Sequence, residues 1–426
     1  MDFSHFSQIS FYFFSFLALY AQVFFLVTFF ERRKDILVRT EPITLKRYPS
    51  VTVIVPCYNE EATIYKTVRS LLALDYPKNK LNIILIDDGS KDRTWETIQR
   101  FSKYPNISAY KKENGGKHTA MNFGIERTTT ELVGGLDADS FVDSQALKRI
   151  VTYFTDKTVM AVAPSIVVSE PKNLIQKAQK AEYDMAIYTK KMLGFLGGIH
   201  VTPGPFSIFR KKVFDELGPF RKAHNTEDQE IALRMQEHGY RIEHCVDAYV
   251  YTVSPNTVGK LYRQRLRWVY GFIKNAFDYR RLLFKRKYGN IGLFTLPSGI
   301  ISVSAAVFMF GFLVYNVFSF IKEKVSLARV VGIENVVSTT SRHFDWFFVN
   351  TQALIFISIL IYVSVITSLV LGRRMIEGKV KLRLDILYFI FIFSIIAPFW
   401  LLKAIWNAIR SKESSWTFER RVIAKK

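Results

Sequence analysis

Four short polar segments, in a fixed order along the chain, carry side chains that could do chemistry. They are Asp87-Asp88, Asp137-Ala138-Asp139, Thr226-Glu227-Asp228 and Gln264-Arg265-Leu266-Arg267-Trp268. Carboxylates can hold a metal ion or take a proton from a hydroxyl group, and the last segment adds cationic and aromatic side chains. This combination fits the transfer of a sugar from a nucleotide diphosphate.

The elements that must position these segments follow from the pattern between positions 50 and 260. Short β-branched runs alternate there with amphipathic stretches, which predicts an α/β fold with a mostly parallel sheet and helices on both faces. We expect strands over residues 51–55, 81–86, 107–110 and 132–136, and helices over 60–74, 93–102, 117–127 and 144–154. The first two acidic segments then lie beyond the carboxyl ends of strands, where ligands of such sheets bind.

Asp137 and Asp139 are the candidate metal ligands. They can bind one ion together only if the strand has ended and the backbone turns, which the following Ser140 allows. Their oxygen atoms, with substrate phosphates, suit Mg²⁺ or Mn²⁺ rather than zinc. Asp87-Asp88-Gly89-Ser90 alone would be an ordinary turn, but a second acidic segment facing the same crevice favours a binding site.

The remaining segments each have two interpretations. Asn114-Gly115-Gly116-Lys117 could bring backbone N–H groups and a lysine to a phosphate, or form a glycine turn with a solvated lysine. Thr226 could cap a helix over 229–238, whose dipole would stabilise acidic residues in the first turn whatever their function. Gln264, Arg267 and Trp268 share one face of an amphipathic helix over 257–279, which also suits a membrane surface with snorkelling arginines.

Apolar runs divide the chain. Residues 9–30, 291–321, 346–371 and 386–409 form such runs, and the first is long enough to cross a hydrocarbon core of about 30 Å. The basic cluster after residue 30 places the next region in the cytosol. Three further crossings would put the C-terminus outside, but the basic tail prefers the cytosol, so we expect the last run to be broken or re-entrant at Pro398. The predicted regions are 1–44 (membrane helix and linker), 45–256 (α/β domain), 257–290 (interfacial helix), 291–410 (membrane region) and 411–426 (basic tail).

The net charge of +22 does not predict nucleic-acid binding. Basic residues cluster beside the apolar runs, as in residues 280–287, and anionic lipid head groups explain that placement better. Cys57 and Cys245 are the two cysteines, which indicates neither a zinc site nor a disulfide framework.

The motifs resemble, in their order and residue types, those of the membrane-bound family-2 glycosyltransferases, which include hyaluronan, chitin, cellulose and poly-N-acetylglucosamine synthases. The resemblance begins at Val53-Ile54-Val55-Pro56-Cys57-Tyr58-Asn59-Glu60-Glu61 and includes Lys117-His118-Thr119-Ala120-Met121-Asn122-Phe123-Gly124. It implies a nucleotide-sugar-binding domain of the GT-A type. The segment 202–210 resembles the family's acceptor segment, but Pro203 departs from it, and a plain turn before a strand is the alternative.

The resemblance also implies a role for each site residue. Tyr58 and Glu60 would belong to the uridine pocket, and Asp88, with Asp87 beside it, would bind the nucleotide. Asp139 would hold the metal more directly than Asp137, and Lys117 would approach a phosphate. Asp228, next to Glu227, would be the catalytic base, while Gln264, Arg267 and Trp268 would serve the diphosphate and the acceptor sugar.

Two functions remain open on this basis. The first is an inverting, processive transferase in the plasma membrane that extends a β-linked polysaccharide and passes it across the membrane. Its donor would be a UDP-sugar, either UDP-N-acetylglucosamine or another UDP-hexose. The second is a non-processive transferase acting on a lipid acceptor. Four apolar runs are few for a polymer channel, so a homo-oligomer or a small membrane partner is expected with the first. A scaffold or transporter is disfavoured, because no catalytic carboxylate is missing and the apolar runs show no inverted repeat.

Overall fold

The structure is a computed structural model that describes residues 3–36, 38–39, 43–332 and 353–411. It divides into two compact units: a first unit of Met1–Phe24 with Ser298–Thr367, and a second unit of Phe25–Pro297 with Ser368–Lys426. The basic tail after residue 411 and the start of the predicted run 346–371 lie outside the described residues.

One mixed sheet forms the centre of the second unit. Its strands in the described chain are β1 (Val51–Cys57), β2 (Leu81–Asp88), β3 (Ile107–Lys112), β4 (Leu132–Gly135), β5 (Ser140–Val142), β6 (Val159–Val168), β7 (Ile208–Arg210) and β8 (Arg241–Thr252). Their order across the sheet is β3-β2-β1-β4-β7-β6-β8-β5. The first four strands pair in parallel, with Val51 opposite both Leu81 and Leu132.

Helices cover both faces of this sheet. In the described residues they are α2 (Ile64–Leu72), α3 (Thr94–Gln99), α4 (Lys117–Glu126), α5 (Ala146–Val151), α6 (Leu174–Phe195), α7 (Lys212–Leu217), α8 (Glu227–Glu237) and α9 (Val258–Asp278). Val53 and Val55 of β1 join the core on one face, and Ile54 joins the core on the other. This alternation explains why β1 is apolar at nearly every position, as expected for a strand buried on both sides.

The predicted α/β fold is confirmed, and the four predicted strands and four predicted helices are all present. The sheet is less parallel than its first half suggests. β7 runs antiparallel to β4 and β6, and β5 runs antiparallel to β8, whereas β6 and β8 are parallel. β5 and β7 have three residues each, which is too short for a periodic pattern to reveal them.

Among the described residues, four helices are long and apolar enough to cross a membrane: α1 (Phe3–Arg32), α10 (Leu296–Val331), α11 (Ala353–Glu377) and α12 (Asp385–Ile409). A π-helical turn at Ile291–Thr295 precedes α10. The expectation that the last run is broken at Pro398 is wrong, because α12 continues through this residue as one helix. Proline removes one N–H group, and here the loss of one backbone bond does not end the helix.

Candidate active site

Three neighbouring parallel strands, β2, β1 and β4, end at the same edge of the sheet. Asp87 and Asp88 are the last residues of β2, Tyr58 and Glu60 follow β1, and residues 137–139 follow β4 through a turn. Strand geometry alone therefore collects the predicted nucleotide and metal residues at one edge, where sheets of this kind bind ligands.

The Asp88 carboxylate is held by the end of β3 and by the glycine loop that follows it. Its Oδ1 accepts hydrogen bonds from Lys112 Nζ at 2.6 Å and Gly115 N at 3.1 Å, and its Oδ2 accepts one from Gly116 N at 2.9 Å. These bonds fix the loop that precedes α4 and so place Lys117, the first residue of that helix. The motifs do not predict Lys112, although a basic residue at the end of the strand beside β2 is a signal that could have found it.

Asp87 is fully buried, and its two oxygen atoms differ. Oδ1 accepts a hydrogen bond from Ser90 N at 3.0 Å, whereas Oδ2 has no partner among the residues that the structure describes. Buried polar atoms normally have partners, so this oxygen is a candidate ligand contact. Nearby, Glu60 accepts from the Thr63 hydroxyl at 2.6 Å, and burial, together with the charge of Asp137, raises the pKa of Glu60.

Lys117 lies at the centre of the acidic cluster. Its ammonium is 2.5 Å from Asp137 Oδ1 and 3.7 Å from Glu227 Oε1. Burial lowers the pKa of Lys117, but the charges of Asp137, Glu227 and Asp228 together outweigh burial and raise this pKa above its ordinary value. Gly204 packs against the pair so closely that a Cβ would overlap the ammonium. The structure thus adds Gly204, from the predicted acceptor segment, to the site.

Asp139 completes the carboxylates at the end of β4. Burial, and then the charges of Asp137 and Glu60, raise the pKa of Asp139 to about 7. A divalent cation relieves such crowding of carboxylates. Within the described ranges, no group of three or more His, Cys, Asp or Glu side chains could hold a metal ion by itself. The residues therefore fit a Mg²⁺ or Mn²⁺ that takes its other ligands from phosphate oxygens and water.

The Thr226-Glu227-Asp228 segment lies at the start of α8, as predicted. The expected cap is wrong, because Thr226 occupies the N-cap position without a side-chain capping bond. Its hydroxyl donates to Ala223 O at 3.0 Å and accepts from Asn275 Nδ2 at 2.9 Å. Asn275 is on α9, so Thr226 joins two helices that sequence reasoning treats separately.

Asp228 has a raised pKa, which makes it a candidate general base. Burial, and then the neighbouring Glu227 charge, raise the pKa of Asp228 to about 6, while Lys117 and Arg267 act in the opposite direction. Its carbonyl oxygen accepts hydrogen bonds from the amide of Thr202 at 3.1 Å and from the Thr202 hydroxyl at 2.9 Å. A carboxylate with this pKa is mostly ionised at neutral pH and can accept a proton from a hydroxyl group.

The predicted amphipathic helix is confirmed as α9, which begins after a Thr257 side chain that accepts from Lys260 N. Arg267 donates from Nη1 to Asn225 O at 3.0 Å. Burial lowers the pKa of Arg267, and the carboxylates of Glu227 and Asp228 oppose this effect. The guanidinium therefore lies within electrostatic reach of the cluster around Lys117.

Gln264 and Trp268 lie one helical turn apart on α9. Trp268 is 37% exposed, and the Arg265 guanidinium lies over its ring at 4.2 Å from the centroid. Gln264 Oε1 is buried and has no partner in the described part of the chain. Within this motif, Arg267 therefore lies beside the carboxylates, whereas Gln264, Arg265 and Trp268 form a separate polar and aromatic group.

A mixed sheet of this order, with an acidic turn after β4 and helices on both faces, is a GT-A-like α/β domain. Residues 52–218 match the family described as Glycosyl transferase family 2, in agreement with the resemblance that the motifs indicate.

Two curated relatives are similar over a longer region. The poly-beta-1,6-N-acetyl-D-glucosamine synthase of Staphylococcus aureus strain COL is 31% identical over 260 residues, which are 60% of this chain and 63% of that protein. The synthase of the same name from Staphylococcus epidermidis is 30% identical over 263 residues, with the same coverage of 60% and 63%. The chain therefore matches just under two thirds of the length of these relatives.

A solved structure supports the fold. The mannosyltransferase PcManGT from Pyrobaculum calidifontis, in complex with GDP-Man and Mn²⁺, has a TM-score of 0.58 and 18% identity, and the match covers 94% of this chain and 100% of that one. At this identity the similarity shows the fold alone. The four described helices that are long and apolar enough to span a bilayer indicate a membrane protein.

Proposed function

We propose that this protein is an inverting membrane glycosyltransferase that transfers a sugar from a UDP-sugar to a growing β-linked polysaccharide. The observation that carries the proposal is the cluster of Lys117, Asp137, Glu227 and Asp228, with Asp87 and Asp88 at the end of β2 on the same sheet edge. The names of the staphylococcal relatives support UDP-N-acetylglucosamine as the donor and a polysaccharide as the product.

The donor would be held at the ends of β1, β2 and β4. Tyr58, Glu60, Asp87 and Asp88 would bind the uridine, and the unpartnered Oδ2 of Asp87 supports this assignment. Lys112, already paired with Asp88, would add a donor to the same pocket. Because Asp88 also fixes the loop before α4, binding of the uridine and placement of Lys117 would both depend on the Asp88 carboxylate.

The diphosphate would lie between α4 and α9. Lys117 and Arg267 supply positive charge there and stabilise the negative charge that develops on the departing UDP. Asp139, with Asp137, would hold a Mg²⁺ or Mn²⁺, which supplies further charge neutralisation when bound. The Mn²⁺ complex of the structurally similar mannosyltransferase is compatible with this donor set.

Asp228 would remove the proton from the acceptor hydroxyl as its oxygen attacks the anomeric carbon. The bond to the new oxygen forms as the bond to the diphosphate breaks on the opposite side, so an α-linked donor gives a β-linked product. Glu227 raises the pKa of Asp228 and thereby its basicity. Gln264 and Trp268 would contact the acceptor sugar.

The membrane helices give the reaction its location. The basic residues 32–34 at the end of α1 favour a catalytic domain in the cytosol and a protein of the plasma membrane. The polysaccharide would then pass outward along the membrane helices. Since the described chain offers four spanning helices, a homo-oligomer or a small membrane partner would complete the path.

Product analysis tests this proposal. Purified protein in lipid nanodiscs is incubated with Mg²⁺ or Mn²⁺ and UDP-N-acetylglucosamine, UDP-glucose or UDP-galactose in turn, and the products are sized and partitioned between water and organic solvent. We expect a water-soluble β-linked polymer from UDP-N-acetylglucosamine, released UDP in equal amount, and neither with an Asp228→Asn control.

The same experiment separates the alternative. A product of one or a few sugars that partitions into organic solvent would identify a non-processive transferase acting on a lipid acceptor and would contradict polymer synthesis. Absence of UDP release with every UDP-sugar in the wild-type protein would contradict the proposed donor class.

A further inference from the structure

Three consecutive residues close to the start of α8 have a left-handed backbone conformation. The φ angles of Ala223, His224 and Asn225 are +43°, +56° and +62°. A side chain is disfavoured in this region, because its Cβ crowds the following carbonyl oxygen. None of the three residues is glycine, so this left-handed turn (residues 223–225) needs surrounding contacts that hold it, and such conformations concentrate at functional sites.

The left-handed turn is attached to α9 at two positions. Arg267, near the middle of α9, donates from Nη1 to Asn225 O at 3.0 Å. Asp278, the last residue of α9, has its Oδ2 atom 2.9 Å from Nε2 of His224. The ring of His224 also meets the ring of Tyr270 edge-on, with 6.2 Å between the centroids. Two attachments on one helix fix the orientation of the turn as well as its position.

The same turn is bonded to the start of α8. The amide and the hydroxyl group of Thr226 both donate to Ala223 O at 3.0 Å. Glu227 and Asp228 follow Thr226 directly as the first residues of α8. The turn therefore connects the carbonyl group that bonds to Arg267 with the backbone that carries the candidate base.

The contact with Asn225 orients Arg267 without neutralising it. A carbonyl oxygen is an acceptor without net charge, so this hydrogen bond fixes the guanidinium and leaves its positive charge for a ligand. A change of φ out of the left-handed region would rotate the turn and carry the Asn225 carbonyl group away from Nη1. The conformation of the turn and the direction of the guanidinium are thus linked.

We propose that the left-handed turn positions Arg267 for catalysis. The Asn225 carbonyl group holds the guanidinium toward the departing diphosphate, and His224 fastens the turn to Asp278. His224 and Asn225 are positioning residues, since they act through Arg267 and contact no reacting atom. The inference rests on the proposed function, because it requires a diphosphate that departs from the sugar.

Steady-state kinetics with UDP-N-acetylglucosamine test this role. Wild type, Ala223→Val and Ala223→Gly are compared in lipid nanodiscs by UDP release and by melting temperature. Glycine adopts a φ of +43° readily, whereas β-branched valine does so rarely. We expect Ala223→Val to lower kcat about 10- to 100-fold, the size of a lost hydrogen bond to a charged group. The KM for the donor should rise less than about threefold, because the bond acts on charge that develops as the diphosphate departs. Ala223→Gly should keep kcat within about twofold of the wild type.

Arg267→Lys separates positioning from general damage to the fold. Lysine keeps the positive charge but lacks the planar fork that the Asn225 carbonyl group orients. In this background Ala223→Val should lower kcat by less than about a further twofold, because both changes remove the same interaction. A defect that is merely structural would lower kcat by the same factor in both backgrounds.

The contact between His224 and Asp278 gives a second, milder test, which carries the proposal if Ala223→Val fails to fold. His224→Phe keeps the ring beside Tyr270 and removes the hydrogen bond, so kcat should fall about two- to fivefold, the range for an exposed pair. His224→Gln can donate to Asp278 from its amide and should recover most of this loss. His238→Phe, at the exposed histidine after α8, is the matched control and should behave as the wild type does.

Three results would overturn the inference while the wild type is active. They are an equal loss from Ala223→Val with and without Arg267→Lys, a loss in Ala223→Gly as large as in Ala223→Val, and no effect of either Ala223→Val or His224→Phe on kcat. A wild type that releases no UDP from any UDP-sugar would instead contradict the proposed function, and this inference with it.

Discussion

Four aspartates of the candidate site differ in their hydrogen bonds, ion pairs and pKa values. Asp88 accepts three hydrogen bonds from its own chain, Asp137 pairs with Lys117, and Asp139 and Asp228 have raised pKa values because of burial and of neighbouring negative charges. Asp88 holds the glycine loop before α4, and Asp137 pairs with Lys117 beside the proposed metal position. Asp139 and Asp228 are the groups whose charge a metal ion or a proton would neutralise, which gives each a separate test.

Asp228→Asn should reduce sugar transfer by about 10²–10⁴-fold, because it removes the base, and should leave UDP affinity nearly unchanged. Transfer is measured as product formed per enzyme, and UDP affinity by calorimetry. Asp215→Asn, at an exposed aspartate on α7, is the matched control and should retain activity. A comparable loss of UDP affinity in Asp228→Asn would assign this residue to donor binding instead.

Asp139→Ala should weaken UDP binding only when Mg²⁺ or Mn²⁺ is present, since it removes a metal ligand. Excess chelator should lower UDP affinity of the wild type to the level of the variant. Asp156→Ala, an exposed position, should bind UDP as the wild type does. Transfer that continues at full rate in excess chelator would show that no metal is required.

At the scale of elements, α9 connects the acidic cluster with the aromatic one. Thr226 and Asn275 hold its C-terminal half against the start of α8, and Gly271 lies so close to Thr226 that no side chain fits between them. One helix thereby sets the distance between Arg267 and the carboxylates and presents Trp268 on the side that faces α6 and α12.

Gly271→Ala should push α9 away from α8, because its Cβ would overlap the side chain of Thr226. We expect a loss of about 1–3 kcal/mol in stability, as for other overpacked sites, and a large loss of transfer, read from melting temperature and product formation. Gly259→Ala on the same helix is the matched control, since its Cβ would enter open space. Equal behaviour of the two variants would mean that the α8–α9 contact does not position the site.

Trp268→Ala and Trp268→Leu should both reduce elongation with little change in UDP affinity, because an aromatic face is lost from the acceptor side. Leucine retains apolar area, so it separates stacking from simple burial in a membrane. Trp406→Leu, an exposed tryptophan on α12, should retain synthesis. Near-normal synthesis by Trp268→Leu in lipid would remove Trp268 from the acceptor site.

At the scale of the whole molecule, buried ion pairs tie the ends of membrane helices to the catalytic domain. Arg39, after α1, donates to both oxygens of buried Asp247. Arg373, near the end of α11 and fully buried, donates to Asp184 on α6 at 3.0 Å and to Asp385 at the start of α12 at 2.9 Å. These contacts lie within the second unit and join the helix ends to the α/β domain.

Arg373→Met should destabilise the protein by about 3–5 kcal/mol, because it leaves the Asp385 carboxylate buried without its cationic partner and leaves Asp184 with Lys180 alone. The free energy is taken from thermal or denaturant unfolding in detergent. Arg374→Met, at the exposed neighbouring position, should unfold like the wild type. Identical unfolding of both variants would show that the buried network adds no stability.

Much of the fold and the candidate site could be predicted from local sequence. The runs that form β1, β2 and β4 are mostly apolar because both faces of the sheet are covered, and that local signal also locates the strand ends where Asp87, Asp88, Asp137 and Asp139 lie. The helical period placed Gln264, Arg267 and Trp268 together on α9. The apolar runs likewise predicted the membrane helices, apart from the continuity of α12 through Pro398.

Contacts between distant residues needed the tertiary structure. Lys112 meets Asp88 because β3 pairs with β2, Gly204 meets Lys117 because a loop returns over α4, and Glu182 meets Arg265 across 83 positions of chain. Thr226 bonds to Asn275 instead of capping α8 because a neighbouring helix supplies a donor. No periodic pattern encodes such partners, since each is set by packing of whole elements and not by the residues beside it in the chain.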